Sequence, residues 1–153
     1  MDRLLSVELE LPWPVGINGH YTAIMHRGAK HPRLVLSAKS RAYNVDVRRA
    51  CIKGLGSFLG WPCRPAFGES RLSVQIITHQ PTKAKTDLDG RLKSLLDALT
   101  YSAAWVDDSQ IDTLQVIRGT VAPKRDAACV VVRISELVDY DSLPFRNAKD
   151  LTK

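Results

Sequence analysis

"RLSVQIITHQPTKAKTDLDGRLKSLLDALTYSAAWVDD", residues 71–108, changes its hydrophobic period once, and that change decides the fold. Through Leu72, Val74 and Ile76 apolar residues alternate with polar ones, the period of a half-buried strand. "PTKAKT" ends that strand. Leu88, Leu92, Leu95, Leu96 and Leu99 then form one stripe at about 100° per residue, so "DLDGRLKSLLDALT" is predicted to be a helix buried along that side. The segment is also acidic. Residues 85–108 hold five aspartates, in a chain where Lys and Arg outnumber Asp and Glu by 22 to 16.

Outward from this stretch the same periods recur. "SVELELP" alternates, with Val7, Leu9 and Leu11 on one side and Ser6, Glu8 and Glu10 on the other, which reads as a strand. In "PWPVGINGHY" the residues Pro12, Pro14, Gly16 and Gly19 oppose regular structure, and the segment continues as a basic loop to about His31. In "SAKSRAYNVDVRRACIKGL", Tyr43, Val47, Ala50, Cys51 and Gly54 share a helical face, and Ser37 is positioned as its cap. "GLGSFLGWPCRPAFGES" is a connector within one domain, because Phe58, Leu59, Trp61 and Phe67 still have to be buried. "IDTLQVIRGTV" and "AACVVVRISEL" are two further strands joined by "APKRDA", most simply as an antiparallel hairpin. The predicted order is β-α-β-α-β-β: a single α+β domain over residues 1–138, a mixed sheet packed by two helices. A polar tail over residues 139–153 reads as disordered.

Composition bounds the function. A chain of 153 residues with 44% apolar and 25% charged residues suffices for one domain with a real core. Its net charge of +6 attracts nucleic acid or another polyanion. Cys51, Cys63 and Cys129 are odd in number and widely spaced, which fits neither a disulfide framework nor a zinc ribbon, so they read as reduced packing residues. His20, His26, His31 and His79 lack zinc-ligand spacing and read as loop or core residues. With no apolar run of membrane-spanning length and no signal-peptide core, the expectation is a cytoplasmic protein with no membrane partner.

The aspartates admit two readings. Thr86 to Asp89 has the pattern of a helix N-cap with an acid at N3, and Asp107-Asp108-Ser109 is an ordinary turn. On the other reading Asp87 lies at the carboxyl end of the preceding strand, with Asp89 and Lys93 as i and i+4 neighbours at the edge of the core. An Asp-x-Asp pair followed by a lysine one turn later supplies hard oxygen ligands for Mg²⁺ and a cation for developing phosphate charge. A strand-helix-strand crossover returns Asp107 and Asp108 to the far end of the helix unless the segment after Thr100 runs back along it.

"DLDGRLKSLLDALT…WVDDSQI" resembles the core pattern of the RusA family of Holliday junction resolvases: Asp-Leu-Asp-Asn, a Lys three residues on, Asp-Ala-Leu, and later Trp-x-Asp-Asp. "LPWPVGINGHY" is similar to that family's N-terminal segment and "LSAKSRAYNVDVRRA" to its first helix, so the resemblance spans most of residues 5–137 in family order. It implies that Asp87, Asp89 and Asp108 are catalytic metal ligands, that Lys93 is the essential basic residue, and that Asp97 and Asp107 support them. It further implies a homodimer that resolves four-way DNA junctions by paired symmetric nicks, with Mg²⁺, or Mn²⁺ in its place. Gly90 departs from the family's Asn, and the family's arginine-rich run before the first Asp is reduced to Lys83 and Lys85. Arg27, Lys30, Arg41, Lys83 and Lys85 flank the acids as expected phosphate contacts, with Asn18 and Tyr21 as further DNA-binding candidates. A branched- or flap-DNA endonuclease of broader specificity, or a non-catalytic DNA-binding module, remains open on the same residues.

Overall fold

The computed structural model describes residues 5–137. Its elements are β1 (Ser6–Pro12), α1 (Ile17–His20), β2 (Tyr21–Ile24), β3 (Arg33–Leu36), α2 (Ala38–Leu55), β4 (Leu72–His79), α3 (Leu92–Tyr101), β5 (Ile111–Arg118) and β6 (Cys129–Glu136). Short 3₁₀ turns occupy Asp108–Gln110 and Arg125–Ala127. β1, β6, β4 and β5 form a mixed sheet in that order, and β2 pairs with β3 in a separate two-stranded sheet. Leaving aside the short α1, β2 and β3, the chain runs β-α-β-α-β-β. The polar tail expected over 139–153 lies outside the described residues.

The core sits between one face of the sheet and α2 with α3. Leu9, Leu11, Leu72, Val74, Ile76, Val130, Val132 and Ile134 from the strands meet Tyr43, Val47, Cys51, Leu55, Leu95, Ala98 and Leu99 from the helices. The opposite face is polar, where Arg133 spans from Glu8 at 2.7 Å to Gln75, and Gln75 donates to Gln115. Ser37 caps α2 by accepting from the Ser40 amide, as its position suggested. α2 crosses β1 closely at Gly54, where a Cβ would fall 2.3 Å from the Leu9 side chain. α3 has no side-chain cap. A cap contributes about 1 kcal/mol, whereas burying each of Leu95 and Leu99 contributes about 1.5–3, so packing holds this helix without one.

Four expectations need correction. β5 and β6 are not a hairpin: β4 lies between them, parallel to β5 and antiparallel to β6. The chain continues beside the end of β4 through Gly119 N–H to Thr78 O and Ala122 N–H to Gln80 O, then crosses to the other side of β4. The apolar run of β6 places it in the sheet interior, and the exposed Leu114 and Ile117 of β5 fit an edge strand. The basic loop before α2 contains the β2–β3 pair, turned through Gly28 at φ +84. α3 begins at Leu92, not at residue 87, and Asp87 and Asp89 lie in the irregular turn before it. Leu59 is fully exposed, although Phe67 is buried and its ring lies 5.2 Å from that of Phe58.

The cysteines divide. Cys51 is buried, and burial pushes its thiol up to about 11, whereas Cys63 is exposed. Among the described residues no helix is long and apolar enough to cross a membrane.

Candidate active site

The acidic turn after β4 is held from two sides. On one, Gln80 closes the 80–86 excursion: its side-chain oxygen accepts from the Thr86 hydroxyl at 2.9 Å and from Arg118 at 2.8 Å. Arg118 also donates to the Thr86 carbonyl at 2.7 Å. On the other side the N-terminal segment docks. The Ile17 N–H donates to the Gly90 carbonyl at 2.9 Å, Arg91 donates to the Pro14 carbonyl and lies 5.0 Å from the centre of the Trp13 ring, and the Ser94 hydroxyl donates to the Val15 carbonyl. The "LPWPVG" segment therefore serves as a brace for the 86–91 turn.

Asp87 and Asp89 emerge from this braced turn into solvent. Among the described residues no side-chain hydrogen bond or ion pair engages either one, or Asp108. The capping reading fails for them, since Thr86 is spent on Gln80 and α3 has no acid in its first turn. It holds for Asp107. That carboxylate accepts from the Ser109 amide at 2.9 Å while Gln110 accepts from the Asp107 amide at 3.1 Å, a reciprocal capping box, and the bonds from Ser109 hold its carboxyl below the usual range. Asp112 pairs with Arg71, and Asp97 with Lys93 and His20.

Lys93 is not paired with Asp89, because the helix starts too late for an i, i+4 relation. Its ammonium donates to Asp97 at 2.7 Å. That bond, followed by the fields of Asp97, Tyr21 and Asp108, holds its pKa above the usual lysine value. The segment after α3 folds back against the last turn of that helix: the Ala104 N–H donates to the Leu99 carbonyl at 3.0 Å and the Trp105 indole to the Thr100 hydroxyl at 2.7 Å. This return brings Asp108 within electrostatic reach of Lys93. Asp87 and Asp89 share one turn and Asp108 stands on another. Among the described residues no three His, Cys, Asp or Glu side chains converge as a ready metal cage.

The remaining predicted contacts are spread over several elements. Lys83 and Lys85 are exposed on the closed 80–86 excursion. Asn18 is exposed on α1, and Tyr21 opens β2 with its ring 4.5 Å from that of His20. Arg27 and Lys30 are exposed in the β2–β3 connection, and Arg41 on the first turn of α2 donates to the Leu36 carbonyl at 2.6 Å. Sequence reasoning missed Gln80, Arg118 and the site role of Arg91. Arg118 ends β5 beside Thr78 of β4, so the parallel pairing that was not anticipated is the signal that would have found it. Gly90 has no positive φ, and a Cβ there would meet only the Asp87 carbonyl at 3.7 Å, so the turn does not require glycine.

Asp87 and Asp89 follow the carboxyl end of β4 and Asp108 precedes β5; carboxylates without internal partners and exposed lysines are the group types that handle phosphodiesters in nucleases. The comparisons agree. Residues 19–135 match the family model for endodeoxyribonuclease RusA. The crossover junction endodeoxyribonuclease rusA of Enterobacteria phage HK97 is 33% identical over 113 residues, covering 74% of this chain and 82% of that protein. The protein of the same name from Escherichia coli strain K12 is 30% identical over 114 residues, with the same coverage of both chains. The chain belongs to the RusA family of endodeoxyribonucleases.

Proposed function

We propose that this protein is a divalent-metal-dependent endonuclease that resolves four-way DNA junctions by paired symmetric nicks, working as a homodimer. The observation that carries the reading is the separation among the aspartates of residues 87–112: Asp97, Asp107 and Asp112 are committed to internal partners, whereas Asp87, Asp89 and Asp108 are not. In a chain of net charge +6, free carboxylates on the DNA-facing side repel phosphate unless a cation joins them.

The donor set fits Mg²⁺ or Mn²⁺, which take carboxylate oxygens. Asp87 and Asp89 would hold the ion, with Asp108 completing the set; three carboxylates repel one another, so their convergence is coupled to the cation. Bound there, the metal supplies Lewis-acid stabilisation of phosphoryl charge and lowers the pKa of water. The protein's own residues do the rest. Lys83 and Lys85 grip the backbone next to the acids, Arg118 and Gln80 keep that grip rigid, and Lys93 offsets negative charge as water displaces the 3′ oxygen from phosphorus. One acidic site cuts one strand, so a second copy related by a two-fold axis supplies the second incision.

A mobile four-way junction labelled on each strand tests this. Symmetrically related nicks should appear with Mg²⁺ or Mn²⁺ and vanish with EDTA. Equal cutting of a flap built from the same arms would move the reading to a broader branched-DNA endonuclease, and no cleavage with either metal would overturn it. Binding provides a second check. Replacing Lys83 and Lys85 together by Ala should reduce the slope of log affinity against log salt by roughly one unit for each phosphate no longer neutralised. An unchanged slope would route the DNA elsewhere.

A further inference from the structure

We infer that Asp97 and His20 are positioning residues for Lys93: a chain of hydrogen bonds from Ser40 through His20 to Asp97 fixes the lysine's ammonium at the acidic site. The inference rests on the reading of Lys93 as a residue that acts on phosphate. Its geometry is independent of that reading. The Lys93 ammonium meets one oxygen of Asp97 at 2.7 Å, the other Asp97 oxygen meets His20 Nε2 at 3.1 Å, and His20 Nδ1 meets the Ser40 hydroxyl at 2.8 Å. The members come from three elements, α1, α2 and α3.

The contacts accommodate a neutral histidine. The Ser37 hydroxyl donates to the Gly19 carbonyl at 2.6 Å, which leaves the Ser40 hydroxyl free to donate to His20 Nδ1. In that arrangement Nε2–H donates to the carboxylate, and Asp97 keeps its other oxygen for Lys93. His20 is completely buried and Ser40 equally so, while the side chain of Asp97 is 25% exposed and that of Lys93 51%. The line therefore runs from the rigid core to a solvent-facing cation.

Helix stability does not account for it. Lys93 lies in the first turn of α3 with Asp97 four residues later, the order that opposes the helix dipole. An exposed lysine on a four-carbon stem samples many positions, and a surface ion pair alone restrains it weakly. Anchoring the carboxylate through a buried histidine turns a mobile acceptor into a fixed one, as a supporting shell does for a reacting group. Asp108 lies near enough for its charge to help raise the Lys93 pKa, after the larger effect of Asp97.

The test is a double-mutant cycle read by single-turnover junction cleavage at saturating enzyme with metal present. Asp97→Asn should lower the cleavage rate about 10-fold or more, the scale of misplacing a reacting group, with junction affinity changed less than about twofold. In a Lys93→Ala background the same substitution should cost nothing further, because its effect passes through Lys93. Ser40→Ala, which leaves the buried ring nitrogen without its donor, should show the same pattern more weakly and serves if Asp97→Asn does not fold. NMR titration of the Lys93 side chain, independent of cleavage, should show its pKa falling towards the ordinary lysine value in Asp97→Asn. Equal losses in both backgrounds, or an unmoved Lys93 titration, would overturn the inference and leave Asp97 a packing residue. Full cleavage by Lys93→Ala with Asp97 intact would instead remove the reading of Lys93 itself.

Discussion

Asp89→Asn protein should bind a four-way junction and leave it uncut. Asparagine matches aspartate in size and keeps an oxygen acceptor, so the braced turn between Gln80 and Gly90 has no reason to move. What it loses is the negative charge that a hard cation needs. With the metal's contribution worth several kcal/mol of transition-state stabilisation, the cleavage rate should fall at least about 10³-fold. Binding measured in EDTA should hold or tighten, because one charge opposing phosphate has gone from an exposed position. Asp87→Asn and Asp108→Asn should behave alike. Asp107→Asn provides the contrast: its carboxylate caps the 3₁₀ turn and is not free, so cleavage should stay within a few-fold of the parent. Normal cleavage by Asp89→Asn would sink the assignment of the acids, and loss of junction binding would mean that the turn had collapsed.

That contrast also marks where sequence reasoning reaches and where it stops. The strands through Val74 and Val132 and the two long helices were legible, because alternation and the 3.6-residue period record which face meets the core. Partners were not. Whether an aspartate is free depends on who meets it in the fold: Asp97 is claimed by a histidine 77 positions away and Asp112 by an arginine 41 positions away. Motif spacing offered the acids and the lysine as candidates, yet it made Asp89 the neighbour of Lys93 where the fold gives it Asp97, since α3 starts at Leu92, beyond a turn whose Gly90 and Arg91 are bonded to Ile17 and Pro14. The β5–β6 pairing failed for a related reason. Two strands close in sequence pair by default, and only the greater burial of β6, with Val130, Val132 and Ile134 each at most 1% exposed, makes it the strand that enters the sheet interior. The β2–β3 pair was missed because four-residue strands carry too little alternation to stand out from a Gly- and Pro-bearing segment.

Lys93→Ala should lower the cleavage rate by about 10²-fold with little change in junction affinity, the cost of removing one electrostatic partner of the transition state. The ammonium is half exposed, so its contribution to binding is shared with neighbouring cations and screened by salt, whereas charge developing on the phosphoryl group during bond breaking has few other partners. Lys93→Arg should not restore the rate, because a planar guanidinium cannot occupy the single-oxygen contact that Asp97 offers at 2.7 Å without moving its charge. The pH dependence separates this role from proton transfer. The hydrogen bond to Asp97 raises the Lys93 pKa above its ordinary 10.5, so the cation is fully present below that value and is lost only as pH rises through the raised one. Between pH 6 and 9 the parent and Lys93→Ala rate profiles should therefore run parallel, offset by about two log units. A limb in that window present in the parent and missing from Lys93→Ala would show Lys93 exchanging a proton during the reaction, and cleavage by Lys93→Ala within a few-fold of the parent would reduce it to a surface partner of Asp97.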